Sequence, residues 1–196
     1  MGHMDECVIY LSGAMEQAPD NGVGWRRRFV KLAIQAGLKI YFIDPTAKPG
    51  RSHGNAEDRE YQSRLKREGR YEELRAYVHK YRRDDLRFCD KLDAAVVVID
   101  PKIPSWGTAN EVYVSETEHK PMFVVCEGGI SGLPNWCFDV FDLDLVFGTI
   151  EEVIAEMVKL NTGEKTMDDR WVLIQHHLHK LNYWDHPEVL ARFMAD

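Results

Sequence analysis

The chain lacks several features that mark particular classes of protein. Its four cysteines form no Cys-x-x-Cys pair, and three of them lie in or beside apolar runs, where a thiol behaves as a small hydrophobic side chain. No apolar run approaches the roughly 20 residues of a membrane span, and no basic stretch followed by an apolar one indicates a secretory signal. These absences predict a reduced, cytoplasmic protein with no membrane partner.

The chain also lacks an excess of positive charge, because its 32 acidic residues outnumber its 25 lysines and arginines and give the 196 residues a formal net charge of -7. A protein that binds the nucleic-acid backbone needs a basic surface to replace the phosphate counterions. We therefore expect a small-molecule partner and no nucleic acid. The hydrophobic share of 44% and the charged share of 29% are those of an ordinary globular protein, and the length suits one domain with an appendage.

Short β-rich runs alternate with helical patterns over residues 4–160, which we interpret as the main domain. The run at 94–99 is a continuous series of alanine, valine and isoleucine, typical of a central parallel strand that is covered on both faces. The alternation predicts a doubly wound, mostly parallel five-stranded α/β sheet of the flavodoxin or Rossmann type. The expected strands cover 7–11, 39–43, 93–100, 122–126 and 143–147, and the expected helices cover 25–36, 110–118 and 150–160.

Two segments fall outside this alternation. Residues 51–83 are rich in charge with a thin apolar stripe, and we expect a lightly buried helical excursion or active-site lid, followed by the last turns of a helix at 84–91. Residues 161–196 carry tryptophans and histidines in no clear repeat. They are expected to form a helical tail that packs on the same domain or on a partner subunit.

The loop after the central strand carries the first candidate for chemistry. Gly107 and Thr108 form a turn and a candidate N-cap, which would put Glu111 at the third position of the next helix. The spacing from Thr108 to Glu111 is that of a capping box, in which the glutamate only reaches back to a backbone amide. Taken alone, this spacing favours a structural role for Glu111 over a catalytic one.

Four motifs in order resemble the nucleoside 2-deoxyribosyltransferase superfamily, which includes the nucleoside 5'-monophosphate N-glycosidases. A Gly-x-x-x-Glu runs from Gly107 to Glu111 after the central strand, and a Tyr-Leu-Ser-Gly ends the first strand at 10–13. An Asp-Asp-Leu precedes the central strand at 84–86, and an Asp-Ala-Ala-Val-Val-Val enters it at 93–98. The resemblance covers roughly residues 8–125, and it is carried by the order and spacing of motifs that are individually unspecific.

The resemblance implies a role for each matched residue. Glu111 would be the nucleophile that attacks the anomeric carbon of a sugar, and Tyr10 would lie against it and help to hold it. A second carboxyl would supply a proton or a hydrogen bond to the leaving base, and we assign this role to Asp85. Asp84 is the alternative for this role, and it is also expected to contact the base. Ser12, Gly13, Gly107 and Thr108 are expected to line the substrate site. No cofactor is expected.

Ser105 distinguishes two kinds of enzyme within the resembled superfamily. Enzymes that act on free nucleosides tend to carry an aspartate six positions before the glutamate, whereas the 5'-monophosphate N-glycosidases carry a serine, as this chain does. A hydroxyl and the amides at a helix start attract a phosphate that a carboxylate would repel. Arg26, in a Gly-Trp-Arg-Arg-Arg run, is a second expected phosphate contact. An ordinary loop serine and an exposed basic helix face are the competing interpretations.

Three functional hypotheses follow from these residues. The preferred one is hydrolysis of the N-glycosidic bond of a nucleoside 5'-monophosphate, and the alternatives are base exchange between deoxynucleosides and a non-catalytic nucleotide-binding module. The sequence leaves open which base is released and whether the sugar is ribose or deoxyribose. It also does not exclude an NAD-type substrate with a similar glycosidic bond. No metal is expected, because only His176 and His179 in the tail share a helix face. Members of the superfamily often complete their pockets with a neighbouring subunit, so a homodimer or larger homo-oligomer is expected, with residues 161–196 at the interface.

Overall fold

The computed structural model describes residues 2–47 and 56–171 of the chain. Strands and α-helices alternate through these ranges, with short 3-10 turns between the fourth and fifth strands. The strands are β1 (Val8–Gly13), β2 (Tyr41–Ile43), β3 (Ala94–Ile99), β4 (Met122–Cys126) and β5 (Val146–Phe147). The helices are α1 (Val23–Gln35), α2 (Ala56–Arg67), α3 (Tyr71–Lys91), α4 (Trp106–Thr117) and α5 (Ile150–Thr162).

The five strands form one parallel sheet in the order β2-β1-β3-β4-β5. The predicted doubly wound α/β fold is therefore confirmed. The chain leaves β1 towards β2 on one side and later returns to β3 on the other, so the strand order reverses between β1 and β3. Ligands of such sheets bind at this reversal, beyond the carboxyl ends of the strands.

Alternate residues of the central strands bury opposite faces of the sheet. Ile9, Leu11 and Val96 pack into one core cluster, which also contains Phe29 of α1 and Val153 of α5. The opposite face packs against α3 and α4, through a second cluster that includes Tyr10, Val97, Val124, Cys89 and Val112. Because β3 and β4 are covered on both sides, they are almost uniformly apolar.

Several boundaries differ from those expected from the sequence. The second strand begins only at Tyr41, whose N–H donates to the Cys7 carbonyl. The run expected as an edge strand at 143–147 is mostly a 3-10 turn, Leu143–Leu145, in which the Leu145 N–H donates to the carbonyl of Asp142. Only Val146–Phe147 pairs with β4. Apolar composition alone does not separate such a turn from a short strand.

The charged segment folds into two consecutive helices in contact, α2 and α3, that we call the helical hairpin (56–91). Gly69, at φ +69°, turns the chain between the two helices, a backbone angle that other residues rarely adopt. Helix α3 continues without a break to Lys91, so Asp84 and Asp85 belong to its last turns as expected. Residues 51–55 of the expected excursion lie outside the described residues.

Only the start of the tail is described. Residues Asp169–Trp171 form a 3-10 turn, and the Trp171 side chain is buried against Phe123 with the ring centroids 5.3 Å apart. The histidines at 176–179 and most of the expected subunit contact lie outside the described residues. Within the described ranges no helix is long and apolar enough to cross a bilayer, and no cluster of three or more potential metal ligands occurs.

Candidate active site

The carboxyl ends of β1 and β3 and the start of α4 meet at the point where the strand order reverses. Strand β1 runs beside β3 up to the pair Gly13 and Val98. After β3 a loop of six residues leads to α4, which begins at Trp106 and lies against both strands. Helix α4 therefore brings Glu111 over the end of β1.

The Glu111 carboxylate accepts one hydrogen bond on each of its oxygens. The Tyr10 hydroxyl donates to Oε1 at 2.8 Å, and the Ser12 hydroxyl donates to Oε2 at 2.5 Å. Tyr10 and Ser12 are two apart on β1, so their side chains leave the strand on the same face. Both residues are buried, whereas Glu111 is half-buried and lines a cavity. The resemblance predicts the contact between Tyr10 and the glutamate, and the structure contains it.

Burial keeps Tyr10 in its donating form. The Tyr10 side chain has no exposed surface, and this burial, reinforced by the negative charge of Glu111, raises the pKa of its hydroxyl well above the ordinary value. A phenol with a raised pKa stays protonated at neutral pH. Tyr10 therefore always donates a hydrogen bond to the carboxylate. It is suited to orient Glu111 and unsuited to act as a base.

Glu111 is not part of a capping box. The N-cap of α4 is Ser105, whose Oγ accepts from the Thr108 N–H at 3.2 Å, so the expectation of a Thr108 cap is wrong. Glu111 consequently lies in the second turn, too far along the helix to reach the N-cap amide. A capping box does occur at the start of α5, where Thr149 and Glu152 bond each other's backbone amides. The structural interpretation of Glu111 thus loses its geometric basis.

A cavity of about 330 Å³ opens beside Glu111. One wall comes from the sheet edge and α4, and it includes Gly13, Ser105, Gly107, Thr108 and Glu111. The facing wall comes from the helical hairpin and includes Arg59, Gln62, Tyr81, Arg82 and Asp85. The hairpin is therefore a wall of the site, in line with the active-site lid that was one expectation for 51–83. No individual residue of that range was expected in the site, because its helices have the pattern of ordinary charged surface.

The helix phase separates Asp84 from Asp85. Asp85 lines the cavity, and Asp84 is not part of its wall. One step along a helix turns a side chain by about 100°, so adjacent residues need not share a wall, and the cavity lining includes Asp85 and its other neighbour Leu86 but not Asp84. Both side chains are partly exposed, and each takes part in polar or electrostatic interactions with its surroundings. The geometry favours Asp85 as the carboxyl that faces a ligand in the cavity.

The start of α4 offers donors to an anion in the cavity. Ser105 is half-buried, and its Oγ lies 2.8 Å from Oγ1 of Thr108. The first amides of any helix lack an intrahelical acceptor, and they carry the positive end of the helix dipole. A Cβ at Gly107 would meet nothing nearer than the Ser105 Oγ at 4.0 Å, so the backbone is open to a ligand there. Ser105 and Gly107 both lie in the cavity wall.

Arg26 lies in the interior and not in the cavity wall. Its side chain has no exposed surface, and its three donor nitrogens bond backbone carbonyls of the β1 end and the following loop. The expected phosphate contact through Arg26 is therefore not supported by its position. Burial lowers the pKa of the guanidinium from its ordinary value, and the charges of Asp44 and Glu111 oppose that shift.

Asn21 is a cavity residue that sequence reasoning missed. It is 9% exposed, lies in the cavity wall, and adopts the left-handed backbone at φ +61°. Its Oδ1 atom is enclosed without a hydrogen-bond partner among the described residues. An enclosed acceptor without a donor is costly in a folded protein, which makes Asn21 a candidate ligand contact. Its Asp-Asn-Gly context indicates only a turn, so no sequence signal marks this role.

Comparison with known proteins adds no functional information. The chain matches no protein-family model and no curated protein. A solved structure described as a conserved protein from Enterococcus faecalis V583 is similar to it, with 14% sequence identity and a TM-score of 0.41. That match covers 90% of this chain and 99% of the other. A similarity of this size carries no argument about activity.

Proposed function

We propose that the protein hydrolyses the N-glycosidic bond of a nucleoside or deoxynucleoside 5'-monophosphate through a covalent glycosyl-Glu111 intermediate. The observation that carries the proposal is a glutamate at the wall of a cavity with each carboxylate oxygen held by a hydroxyl of β1. A carboxylate oxygen has two lone-pair sites, so each Glu111 oxygen keeps one after accepting its bond. This arrangement suits a nucleophile that must be oriented and remain ionised.

In the first half of the reaction a Glu111 oxygen forms a bond to the anomeric carbon of the sugar. The bond from that carbon to the base nitrogen breaks, and its electron pair leaves with the base. Asp85, protonated at the start, gives its proton to the departing base. Asp85 and Glu111 line the same cavity, which supports this assignment. Asp84 is the weaker candidate because it lies outside the wall.

In the second half a water molecule attacks the anomeric carbon. Asp85, now a carboxylate, accepts a proton from the water, and Glu111 leaves as a carboxylate. The products are a free base and a sugar 5-phosphate, and both carboxyls return to their starting states. Because the anomeric carbon is displaced twice, its configuration is retained overall. No cofactor takes part in this sequence.

The start of α4 supports a phosphate on the substrate. Ser105 and the open backbone at Gly107 lie in the same cavity wall as Glu111, so a phosphate bound at the helix start would belong to a substrate that reaches the nucleophile. A bare nucleoside would leave these donors without their charged acceptor. We therefore assign 5'-monophosphates as the preferred substrate class.

The test is a panel of nucleosides and their 5'-monophosphates, with release of free base followed by chromatography and Glu111→Gln as the blank. We expect base release from at least one monophosphate, with a kcat/KM about 10 to 100 times that for the nucleoside. Nucleosides turned over best, and faster with an added base, would instead identify a base-exchanging transferase. Ligands that bind without release of base would identify a non-catalytic nucleotide-binding module.

A further inference from the structure

Arg26 fills a gap that the short second strand leaves beside β1. Strand β1 pairs with β2 only as far as Tyr10 and Ile43, whereas it continues beside β3 to Gly13. On the β2 side the last three residues of β1 therefore have no neighbouring strand. The guanidinium of Arg26 occupies that side, where Nε donates to the Leu11 carbonyl at 3.0 Å and Nη2 to the Gly13 carbonyl at 2.9 Å.

The two carbonyls that Arg26 holds belong to the residues on either side of Ser12. Its third donor, Nη1, bonds the Gly22 carbonyl at 2.8 Å and so ties the loop before α1 to the same point. Ser12 in turn donates to Glu111 at 2.5 Å. A fixed backbone on both sides of Ser12 restricts where its hydroxyl can lie, and thereby which orientation of the carboxylate it supports.

The surroundings of Arg26 are shaped for a guanidinium. A Cβ on Gly22 would lie 2.4 Å from Nη1, and the Trp25 ring stacks 4.5 Å from the guanidinium carbon. Asp44, directly after β2, lies 3.7 Å from Nε. A planar fork can place three donors on three carbonyls at once, which an ammonium on a flexible stem does less well. The buried positive charge also lies close enough to interact with Glu111 and Tyr10.

We propose that Arg26 is a positioning residue for the nucleophile, and that it acts by clamping the backbone around Ser12 so that the Ser12 hydroxyl holds Glu111 in its attacking orientation. The reaction it serves rests on the proposed function, but the clamp itself does not. A purely structural arginine would affect folding without any dependence on Ser12. The inference is therefore separable by combining changes at the two residues.

The kinetic test combines Arg26→Lys, Ser12→Ala and the double variant, with Arg27→Lys as control, because Arg27 is the exposed neighbour on the same helix. Arg26→Lys should lower kcat by about 10- to 100-fold with little change in KM, since misplacing a reacting group by an ångström costs that much. When Ser12 is already alanine, Arg26→Lys should lower kcat little further, because the hydroxyl through which Arg26 acts on Glu111 is absent. Single effects that multiply in the double variant would overturn the proposal.

A structural test decides the inference independently of any substrate. In a crystal structure of Arg26→Lys, the bond between Ser12 Oγ and Glu111 Oε2 should be lost or clearly longer than 2.5 Å. A bond of unchanged length would overturn the clamp even if the protein proves to be a glycosidase. Conversely, if the wild-type protein is inactive on every nucleotide, the proposed function is wrong. The positioning role of Arg26 is then decided by the length of the Ser12–Glu111 hydrogen bond alone.

A second variant covers the case in which Arg26→Lys does not fold. Gly22→Ala keeps every donor of the arginine, but the new Cβ would lie 2.4 Å from both Nη1 and the Ala14 carbonyl oxygen on a backbone at φ +70°, so the guanidinium and the loop that it bonds must both shift. It should lower kcat in the same Ser12-dependent way. A folded Gly22→Ala variant with wild-type kcat and an unchanged Ser12–Glu111 bond, although its guanidinium has moved, would count against the proposal.

Discussion

The two walls of the cavity are built in opposite ways. At the carboxyl end of β1, Tyr10, Ser12 and Arg26 are buried. Tyr10 and Ser12 donate to Glu111, and Arg26 donates to backbone carbonyls on either side of Ser12. In the helical hairpin many charged pairs are exposed, such as Arg67 with Glu60. Buried, fully bonded groups resist local opening, whereas exposed surface pairs add little to stability. The proposed nucleophile is thus held by the buried part of the fold, whereas the proposed acid, Asp85, belongs to the more exposed hairpin wall.

The hairpin is nevertheless held together by its own aromatic contacts. Tyr77 packs edge-on against Tyr61 and Tyr81, and its hydroxyl donates to Asp58. Burial, with the Asp58 hydrogen bond, raises the pKa of Tyr77 above its ordinary value, and burial raises the pKa of Tyr81 to about 12. These tyrosines therefore stay neutral at physiological pH and join α2 to α3. Tyr81 also lines the cavity, so one tyrosine cluster both packs the hairpin and forms part of the cavity wall.

Glu111→Gln should produce the largest loss of activity on the rigid side. The amide keeps an oxygen that accepts from one of the two hydroxyls and donates its NH2 to the other, which accepts after rotating its hydrogen. It cannot attack carbon as a carboxylate does, so turnover should fall by more than about 1,000-fold. Thermal unfolding should be nearly unchanged, because shape and packing are conserved. A folded Gln variant that retains more than a few per cent of wild-type turnover would remove Glu111 as nucleophile.

Asp85→Asn tests the only residue assigned to chemistry on the hairpin wall. Loss of a general acid should lower kcat by about 100- to 10,000-fold, whereas Asp84→Asn, the matched control on the same turn, should have little effect. With a 5'-monophosphate whose base is a pyridinium, the first release of base should be spared in Asp85→Asn, since that base leaves as a neutral molecule and needs no proton, whereas later turnovers still need Asp85 to accept the proton of water. The reverse pattern between the two variants would assign the acid to Asp84.

Ser105→Asp should reverse the preference between a nucleoside and its 5'-monophosphate. Aspartate caps a helix as well as serine does, so α4 should persist, but its charge would repel the phosphate. Charge-assisted hydrogen bonds are worth about 1.5 to 3 kcal/mol, which corresponds to roughly a 10- to 100-fold change in kcat/KM for the monophosphate. Ser105→Asn, which caps without charge, is the control. Equal wild-type values for both substrates would leave Ser105 without a substrate role.

Tyr10→Phe should have a smaller effect on the same carboxylate. It deletes the hydroxyl that donates to Glu111 Oε1 at 2.8 Å and leaves the buried ring in place. Hydrogen bonds to charged groups contribute about 1.5 to 3 kcal/mol, and Ser12 still holds the other oxygen, so a loss in kcat of about tenfold is expected. An unchanged kcat would show that Ser12 alone suffices to orient the nucleophile.

The sequence predicted the sheet better than the site. Continuous apolar runs such as 94–99 and 122–126 are typical of strands that are covered on both faces in an α/β fold, and both are strands as expected. The N-cap of α4 was predicted wrongly because Ser105 and Thr108 are both residues that favour the N-cap position. Only the loop geometry, which the sequence does not give, selects Ser105.

Arg26 shows a second limit of sequence reasoning. In a run of three arginines it looks like exposed surface, yet it is the one that turns inward. Its burial depends on carbonyls left bare by the end of β2, a tertiary feature that no local pattern records. The same holds for the enclosed Asn21 acceptor, which depends on how the loop before α1 closes over the cavity.

Arg67→Ala should have the smallest effect and marks the other end of the comparison between the walls. Arg67 and Glu60 form an ion pair on α2, but their side chains are 62% and 70% exposed, so water and salt screen the attraction. The free energy of unfolding should change by less than about 1 kcal/mol, and kcat/KM should not change because neither residue lines the cavity. Phe123→Ala, in the buried sheet, should cost about 3 to 5 kcal/mol in the same denaturant titration. A loss above about 2 kcal/mol for Arg67→Ala would mean that the hairpin surface contributes to global stability. The contrast between the buried wall at the end of β1 and the more exposed wall of the helical hairpin would then fail.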